Sequence, residues 1–211
     1  MSQPMGRQPI HLWSLSEDVV VRATDDEVTL AGRFGTERID APDPVVREVL
    51  RRMELGPVLP ENVAGDFADG EGGVCLLLLP TLSRLSHMTV RTLSVDDLKG
   101  PLLSVSPESR QADFSPGELS GADPLRLPRD VRVTLEDAGI SLESAASLHR
   151  VVLHRPEAVW VVAMLAWPVT PGAASEALPL HPDVTDGILR YLAAAGMAQP
   201  VEDRKPDHPA L

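Results

Sequence analysis

This chain has one cysteine, few aromatic side chains and fewer basic than acidic residues, and each of these shortages restricts the possible folds or partners. The single cysteine, Cys75, excludes an internal disulfide framework. Its apolar neighbours from Val74 to Leu79 favour a buried structural thiol over a catalytic nucleophile. Aromatic residues make up 3% of the 211 residues and apolar residues 43%, so the predicted cores are mainly aliphatic.

The charge balance restricts the partners that the chain can bind. Its 19 lysines and arginines against 31 aspartates and glutamates give a net charge of −12. Because nucleic acids and anionic membranes are bound through basic surfaces, the sequence predicts no nucleic-acid partner and no membrane partner. The N-terminal residues contain no long apolar segment, so we expect neither a signal peptide nor a membrane span. The expected location is the cytoplasm.

The residue types that usually carry catalysis or hold metals are present, but their spacing does not suit either task. The six histidines include no pair four apart on a predicted helix, which argues against a zinc site. His149 and His154 should point to opposite faces of a strand. The glycines from Gly70 to Gly73 lack the Lys-Ser/Thr ending of a phosphate-binding loop. We therefore predict no catalytic residue, no metal and no cofactor in this chain.

The first half of the sequence predicts a small sheet followed by helices. Valine-rich segments from Asp18 to Thr24 and from Val28 to Phe34 flank a turn signal at Asp25-Asp26, which indicates a hairpin. A third strand is predicted from Thr36 to Asp40. A helix opened by Pro44 follows, and its apolar residues share one face. These residues are Val45, Val46, Val49, Leu50 and Met53.

A second helix and two strands complete this half. The helix is predicted from Val74 to Leu85, with an interruption or a kink at Pro80. Strands from Thr89 to Leu93 and from Leu102 to Val105 are joined by a turn, which would make a wing. Residues 107–128 hold four prolines and two glycines with little periodicity, and they are predicted to be a linker.

The pattern restarts after the linker. Short strands are predicted at Val131–Leu135, Ile140–Leu142 and Leu148–Leu153. A helix from Glu157 to Trp167, a Pro-Val-Thr-Pro break, a short helix and an amphipathic helix from Pro182 to Ala195 follow. Trp160 and Trp167 lie seven residues apart on the same predicted helix. This spacing favours core packing, with a docking surface as the alternative.

Two stretches of the chain repeat the same order of elements. In each, a strand is followed by a helix opened by proline (Pro44 or Pro156), a Pro-Val-x-Pro sequence, a short helix and a longer helix. The predicted fold class is therefore α+β, with two tandem winged-helix-like modules, each a three-stranded antiparallel sheet plus three helices. The predicted boundaries are residues 10–106 for the first module, 107–128 for the linker, 129–201 for the second module and 202–211 for a tail.

Winged-helix modules bind nucleic acid through a basic third helix or capture an extended peptide beside the sheet. The two candidate third helices carry one arginine each, Arg84 and Arg190, so phosphate binding is not favoured. A peptide would add a strand to the sheet edge and lie against the third helix. The predicted peptide-binding residues are Thr36, Arg38, Ile39, Leu78 and Leu82 in the first module, and His149, Val151, Leu153, Ile188 and Tyr191 in the second.

The sequence from Ser147 to Ala158 resembles a stretch of the SagB/ThcOx-type azoline dehydrogenases of peptide natural-product pathways. The Leu-His-x-Pro arrangement is retained at Leu153-His154-Arg155-Pro156. Residues Leu192–Met197, Val19–Arg52 and Gly100–Val105 are similar to other segments of the same family, in the same order. The resemblance therefore covers most of the chain, although each motif alone has low specificity.

The resemblance implies two tandem peptide-clamp domains, which in that family precede a flavin-binding nitroreductase-like domain. No segment here matches the flavin domain, so none of its flavin or catalytic residues has a counterpart. We therefore expect a stand-alone clamp subunit that binds a precursor (leader) peptide and docks a separate FMN-dependent dehydrogenase subunit as a hetero-oligomer. A piece of a longer enzyme, a winged-helix transcription regulator and an enzyme of unrecognised type are the alternatives.

Overall fold

A computed structural model describes residues 8–64 and 71–201 of the chain. The strands are β1 (Pro9–Leu15), β2 (Val20–Ala23), β3 (Glu27–Gly32), β4 (Gly35–Asp40), β5 (Thr89–Val95), β6 (Leu103–Pro107), β7 (Leu125–Arg126), β8 (Arg132–Glu136), β9 (Gly139–Glu143), β10 (His149–Leu153) and β11 (Gln199–Pro200). The helices are α1 (Pro44–Leu55), α2 (Pro60–Ala64), α3 (Glu71–Arg84), α4 (Pro156–Met164), α5 (Pro171–Ala177) and α6 (Pro182–Ala194). A 3-10 turn spans Ser86–Met88. The protein is thus an α+β protein.

Local sequence signals explain the first helix and the hairpin before it. The Asp25-Asp26 turn separates β2 from β3, as predicted, and the two strands pair antiparallel. The side chain of Asp43 accepts a hydrogen bond from the Val45 amide at 2.8 Å and so caps α1. All five residues of the predicted apolar face of α1 are buried. Gly56 follows the helix with φ of 153°, a conformation that favours glycine.

The strands form two main antiparallel sheets. The order of the smaller sheet is β2-β3-β4, and the order of the larger sheet is β1-β5-β6-β10-β9-β8. The predicted wing strands β5 and β6 pair with each other, but they also pair with β1 and β10. The prediction of a separate three-stranded sheet for the second module is therefore wrong. Its strands continue into a six-stranded sheet because β6 pairs along the whole of β10.

Two further differences from the prediction concern the segment before β2 and the helix α3. Residues 9–15, which were assigned to no element, form the edge strand β1. α3 continues through Pro80, so this residue does not interrupt the helix, which excludes the first of the two predicted outcomes. The side chain of Cys75, residues 65–70 and the predicted tail at residues 202–211 lie outside the part of the chain that the structure describes.

Two apolar clusters form the core. One lies between the smaller sheet, α1 and α3, and includes Leu30, Val49 and Leu85. The other lies between one face of the larger sheet and α4 to α6, and includes Val151 and Ile188. The opposite face of the larger sheet carries mostly polar side chains. Between β6 and β7, the chain packs Ala112 and Phe114 into buried positions at 1% and 8% exposure.

Candidate peptide-binding site

The outer edge of β4 offers unpaired backbone groups beside α3. β4 ends the smaller sheet, and no other strand among the described residues pairs with its outer side. The two-residue turn after Gly32 closes on Gly35, so the ladder bonds to β3 fall at alternate residues and leave the amide and carbonyl groups of Thr36 and Arg38 directed outwards. One of these carbonyls, that of Arg38, accepts a hydrogen bond from Nη2 of Arg84 at 2.9 Å.

The side chains predicted in this first cleft divide into exposed and buried ones. Thr36 and Arg38 are exposed, and Arg38 pairs with Glu27 at 2.6 Å and Asp40 at 2.7 Å. The other three predicted residues are core residues: Ile39 is 8% exposed, and Leu78 and Leu82 are each 3% exposed. The structure thus brings the five residues together, but it presents only two of them to solvent.

A charged cluster closes one end of the space between β4 and α3. Glu37 on β4 lies 3.7 Å from Nε of Arg84, 3.7 Å from Nε2 of His87 and 3.5 Å from Nη2 of Arg110. Its side chain is 18% exposed. Because Arg110 belongs to the segment after β6, the cluster ties that segment to the edge strand. An incoming peptide strand would have to displace the guanidinium of Arg84 from the Arg38 carbonyl.

Leu79, an exposed apolar residue of α3, was not among the predicted peptide-binding residues. Leu79 is 51% exposed, and with Leu82 and Ser83 it lines a pocket of about 270 Å³. Trp13 and Phe114 also line this pocket. The apolar spacing along α3 does not separate Leu79 from its buried neighbours, since four consecutive leucines occupy every side of one helical turn.

The second predicted cleft needs correction, because β10 lies in the interior of the six-stranded sheet. It pairs with β6 on one side and β9 on the other, so no peptide strand can be added to it. Its predicted residues are buried: His149 is 7% exposed, Val151 0% and Leu153 2%. On α6, Ile188 and Tyr191 are 0% exposed.

The segment after β6 occupies the space that the sequence analysis assigned to a second peptide. The ring of Phe114 lies 5.7 Å from the ring of His149 and 5.0 Å from the ring of Tyr191, edge-on to both. His11 on β1 stacks on Tyr191, and its Nδ1 lies 3.0 Å from the phenol oxygen. Burial raises the pKa of Tyr191 to about 12, and burial lowers the pKa of His149 below its ordinary value. These groups form a packed joint between α6 and the sheet.

The polar face of the larger sheet borders a groove of about 840 Å³. In it, Oγ of Ser104 lies 2.9 Å from Nε2 of His154, whose Nδ1 lies 3.1 Å from the carbonyl oxygen of Ala138. With Nδ1 protonated, Nε2 would accept a proton from Ser104, as in a nucleophilic pair. However, β6 is paired on both sides, so the strand around Ser104 offers no backbone amide for an oxyanion. Fifty residues separate the two side chains, and no sequence motif joins them.

The two tryptophans after β10 are exposed instead of packed in the core. Trp160 on α4 is 43% exposed, and Trp167 just beyond α4 is 73% exposed. The prediction of core packing is therefore wrong. α4 is apolar on nearly every side, so periodicity gave no means of telling its exposed face from its buried face.

Comparison with protein-family models and with curated proteins gives no match to this chain. Within residues 8–64 and 71–201, no three His, Cys, Asp or Glu side chains converge as a metal ion requires. No helix in the described part of the chain has the length and apolar character to cross a membrane.

Proposed function

We propose that this chain is a non-catalytic subunit that binds a precursor (leader) peptide and docks an FMN-dependent azoline dehydrogenase in the cytoplasmic synthesis of thiazole- or oxazole-containing peptides. In this proposal the FMN and the chemistry belong to the partner, and this chain supplies two tandem winged-helix-like peptide-clamp modules. If the chain is a piece of a longer enzyme, the peptide-binding role stays the same.

The observation that carries the proposal is a repeated order of elements. The strands β2, β3 and β4 are followed by α1, α2 and α3, and the strands β8, β9 and β10 are followed by α4, α5 and α6. In both cases the strands are antiparallel neighbours, and a proline opens the first helix. This order is the one expected of a winged-helix clamp, and it agrees with the resemblance carried by Leu153-His154-Arg155-Pro156.

The first module is the better candidate for the peptide. An extended segment paired with β4 would satisfy the outward amide and carbonyl groups of Thr36 and the amide of Arg38. Backbone pairing of this kind supplies affinity with little demand on sequence, and the side chains on α3 would select among peptides. Arg84 would exchange the Arg38 carbonyl for an acceptor on the peptide.

The second module is better suited to holding the partner than to holding the peptide. Its strand β10 is paired on both sides, and Phe114 fills the space beside Tyr191. Trp160 on α4 and Trp167 just beyond its end present large exposed apolar surfaces. Exposed tryptophans are common anchors in protein interfaces, so we assign the docking of the dehydrogenase subunit to them.

The alternative of a winged-helix transcription regulator is less well supported. Arg190 on α6 pairs with Asp186 at 2.7 Å, and Arg84 on α3 is engaged by Glu37 and the Arg38 carbonyl. Each third helix therefore lacks a free cationic face in its described side chains, whereas DNA binding needs several phosphate contacts.

The proposal is tested by titrating a fluorescein-labelled leader peptide with the full chain and following anisotropy. The peptide is the leader of the pathway's precursor, and a scrambled peptide is the control. Saturable binding of the leader but not the scrambled peptide supports a clamp, and tighter binding after addition of the pathway's flavoprotein supports a split enzyme. Equal binding of the two peptides, or none with or without the flavoprotein, contradicts the proposal.

A further inference from the structure

The outer edge of β8 is a second open strand edge, and its side chains are exposed on both faces. β8 ends the six-stranded sheet, and among the described residues nothing pairs with its outer side. Two of its apolar residues are strongly exposed, Val133 at 57% and Leu135 at 81%. Proteins usually protect such an edge because it invites pairing with another strand. The opposite edge is partly covered, since β1 exchanges two backbone hydrogen bonds of 2.8 Å between Trp13 and Val58.

The backbone of β8 directs hydrogen-bonding groups outwards at the residues where a second strand could pair with it. The two-residue turn between β8 and β9 closes on Glu136 and Gly139, so the ladder bonds to β9 fall at Glu136, Thr134 and Arg132. The amide and carbonyl groups of Val133 and Leu135 therefore point away from the sheet. Two such residues can exchange four hydrogen bonds with an antiparallel strand that has two outward-directed residues at the matching positions.

The sequence of β8 is complementary to itself when it is reversed. The strand reads Arg132-Val133-Thr134-Leu135-Glu136, with Thr134 at its centre. In an antiparallel pair of two copies centred on Thr134, each arginine faces the glutamate of the other copy, and each valine faces a leucine. Registers shifted by two residues in either direction lose both charge pairs. Arg132 forms no ion pair within the described residues, so it is available for this contact.

The side chains also fall on the appropriate faces. Val133 and Leu135 pair with Leu142 and Ile140 of β9, so they lie on the same face of the sheet as these two residues of the second apolar cluster. Arg132, Thr134 and Glu136 lie on the polar face, where Glu136 already pairs with Arg150 and accepts a hydrogen bond from Ser141. A carboxylate has room for a further donor, so a second arginine from another copy can share it.

We propose that two copies of this chain associate through β8 about a two-fold axis that passes beside Thr134, which joins their sheets into one continuous sheet. The interface is isologous, as a two-fold dimer requires. Its core is the aliphatic pair Val133 and Leu135 from both copies, and its charge pairs fix the register. The inference does not depend on the peptide-binding function, which concerns the β4 edge.

Sedimentation equilibrium of the full chain over a range of micromolar to submillimolar concentrations tests the proposal. The wild-type chain should show a reversible monomer–dimer equilibrium. Val133→Pro removes an outward amide without affecting the ladder to β9, and it should weaken dimerisation at least about tenfold relative to Val133→Ala. Arg132→Glu should also weaken dimerisation, because it opposes two carboxylates, and Arg132→Lys should retain it. A wild-type chain that stays monomeric overturns the proposal, as does a dimer unaffected by both disruptive variants.

A cysteine at the proposed axis gives an independent measure of the contact. Two Thr134 residues facing each other as a non-hydrogen-bonded pair would have Cα atoms about 4.5 Å apart, within the range that a disulfide spans. In a Cys75→Ala background, Thr134→Cys should therefore form a covalent dimer on mild oxidation, whereas Ser120→Cys at another exposed site should not. Equal crosslinking of the two variants, or none in Thr134→Cys, contradicts an axis at Thr134.

Discussion

At the scale of single residues, Arg155 shows how a charge can be buried in this fold. It is 7% exposed, and it donates two hydrogen bonds of 2.9 Å to the carboxylate of Asp97 and two, of 2.5 Å and 3.3 Å, to the carboxylate of Glu157. These partners raise the pKa of Arg155, the bond to Glu157 most strongly. The cluster links the start of α4 to the turn between β5 and β6.

Replacing Arg155 with methionine should lower the free energy of unfolding by about 3 kcal/mol, because it leaves two carboxylates without their cation while it keeps most of the aliphatic stem. Chemical denaturation followed by far-ultraviolet circular dichroism measures the change. The matched control is Arg38→Met, whose guanidinium is exposed and should contribute little. Equal losses in the two variants would mean that the Arg155 cluster is no more than a surface ion pair.

His149 should make the stability of the protein depend on pH near neutrality. Burial lowers the pKa of its imidazole in the folded state below the ordinary value of about 6.5, which the unfolded chain retains. The unfolded state therefore binds more protons at mildly acidic pH, and stability falls as the pH drops below about 6.5. His149→Leu should show a smaller loss of unfolding free energy than the wild type between pH 7.5 and pH 5.5. Parallel pH profiles for the two proteins would contradict this assignment.

At the scale of elements, the segment between β6 and β7 acts as part of the core. Phe114→Ala removes a ring that is 8% exposed and contacts both His149 and Tyr191, so it should lower the unfolding free energy by about 3 kcal/mol. Glu118→Ala, an exposed position on the same segment, is the control. Thermal unfolding by calorimetry would separate the two variants, and a Phe114→Ala variant as stable as the control would indicate that this segment is a simple tether.

Two substitutions at Thr36 separate the contribution of the β4 backbone to peptide binding from that of the side chain. Thr36→Pro removes an outward amide but leaves the ladder to β3 intact, so it should weaken leader-peptide binding at least about tenfold. Thr36→Ala keeps the amide and should bind as the wild type does. The comparison is made by anisotropy, with circular dichroism to show that both variants are folded. Similar affinities for the proline and alanine variants would exclude strand addition at this edge.

Local elements were predictable from the sequence where one signal dominates. The Asp25-Asp26 turn fixed the β2–β3 hairpin, and the apolar face of α1 was read from spacing alone. Both signals act over a few residues. For Trp160 and Leu79, apolar neighbours on every side of their helices removed the contrast on which periodicity depends, so their exposure could not be predicted.

At the scale of the whole molecule, pairing between distant strands decides what is accessible. Strands β5 and β6 were predicted as an isolated wing, yet the pairing of β6 with β10 and of β5 with β1 builds a sheet that crosses the two repeated segments. Such partners lie 42 or more residues apart, and strand sequences alone do not specify them. This is why His149, Val151 and Leu153 were predicted to line a cleft and instead lie within a core.

We propose that β4 and α3 hold an extended peptide between them. The most direct measurement is hydrogen–deuterium exchange of the full chain, alone and saturated with the leader peptide, resolved by mass spectrometry. We predict that exchange slows in residues 35–40 when the peptide binds, because the outward amides of Thr36 and Arg38 become hydrogen-bonded, with little change in residues 149–153. Slowing confined to β8, β10 or the polar groove of the larger sheet, with residues 35–40 unchanged, would contradict the account.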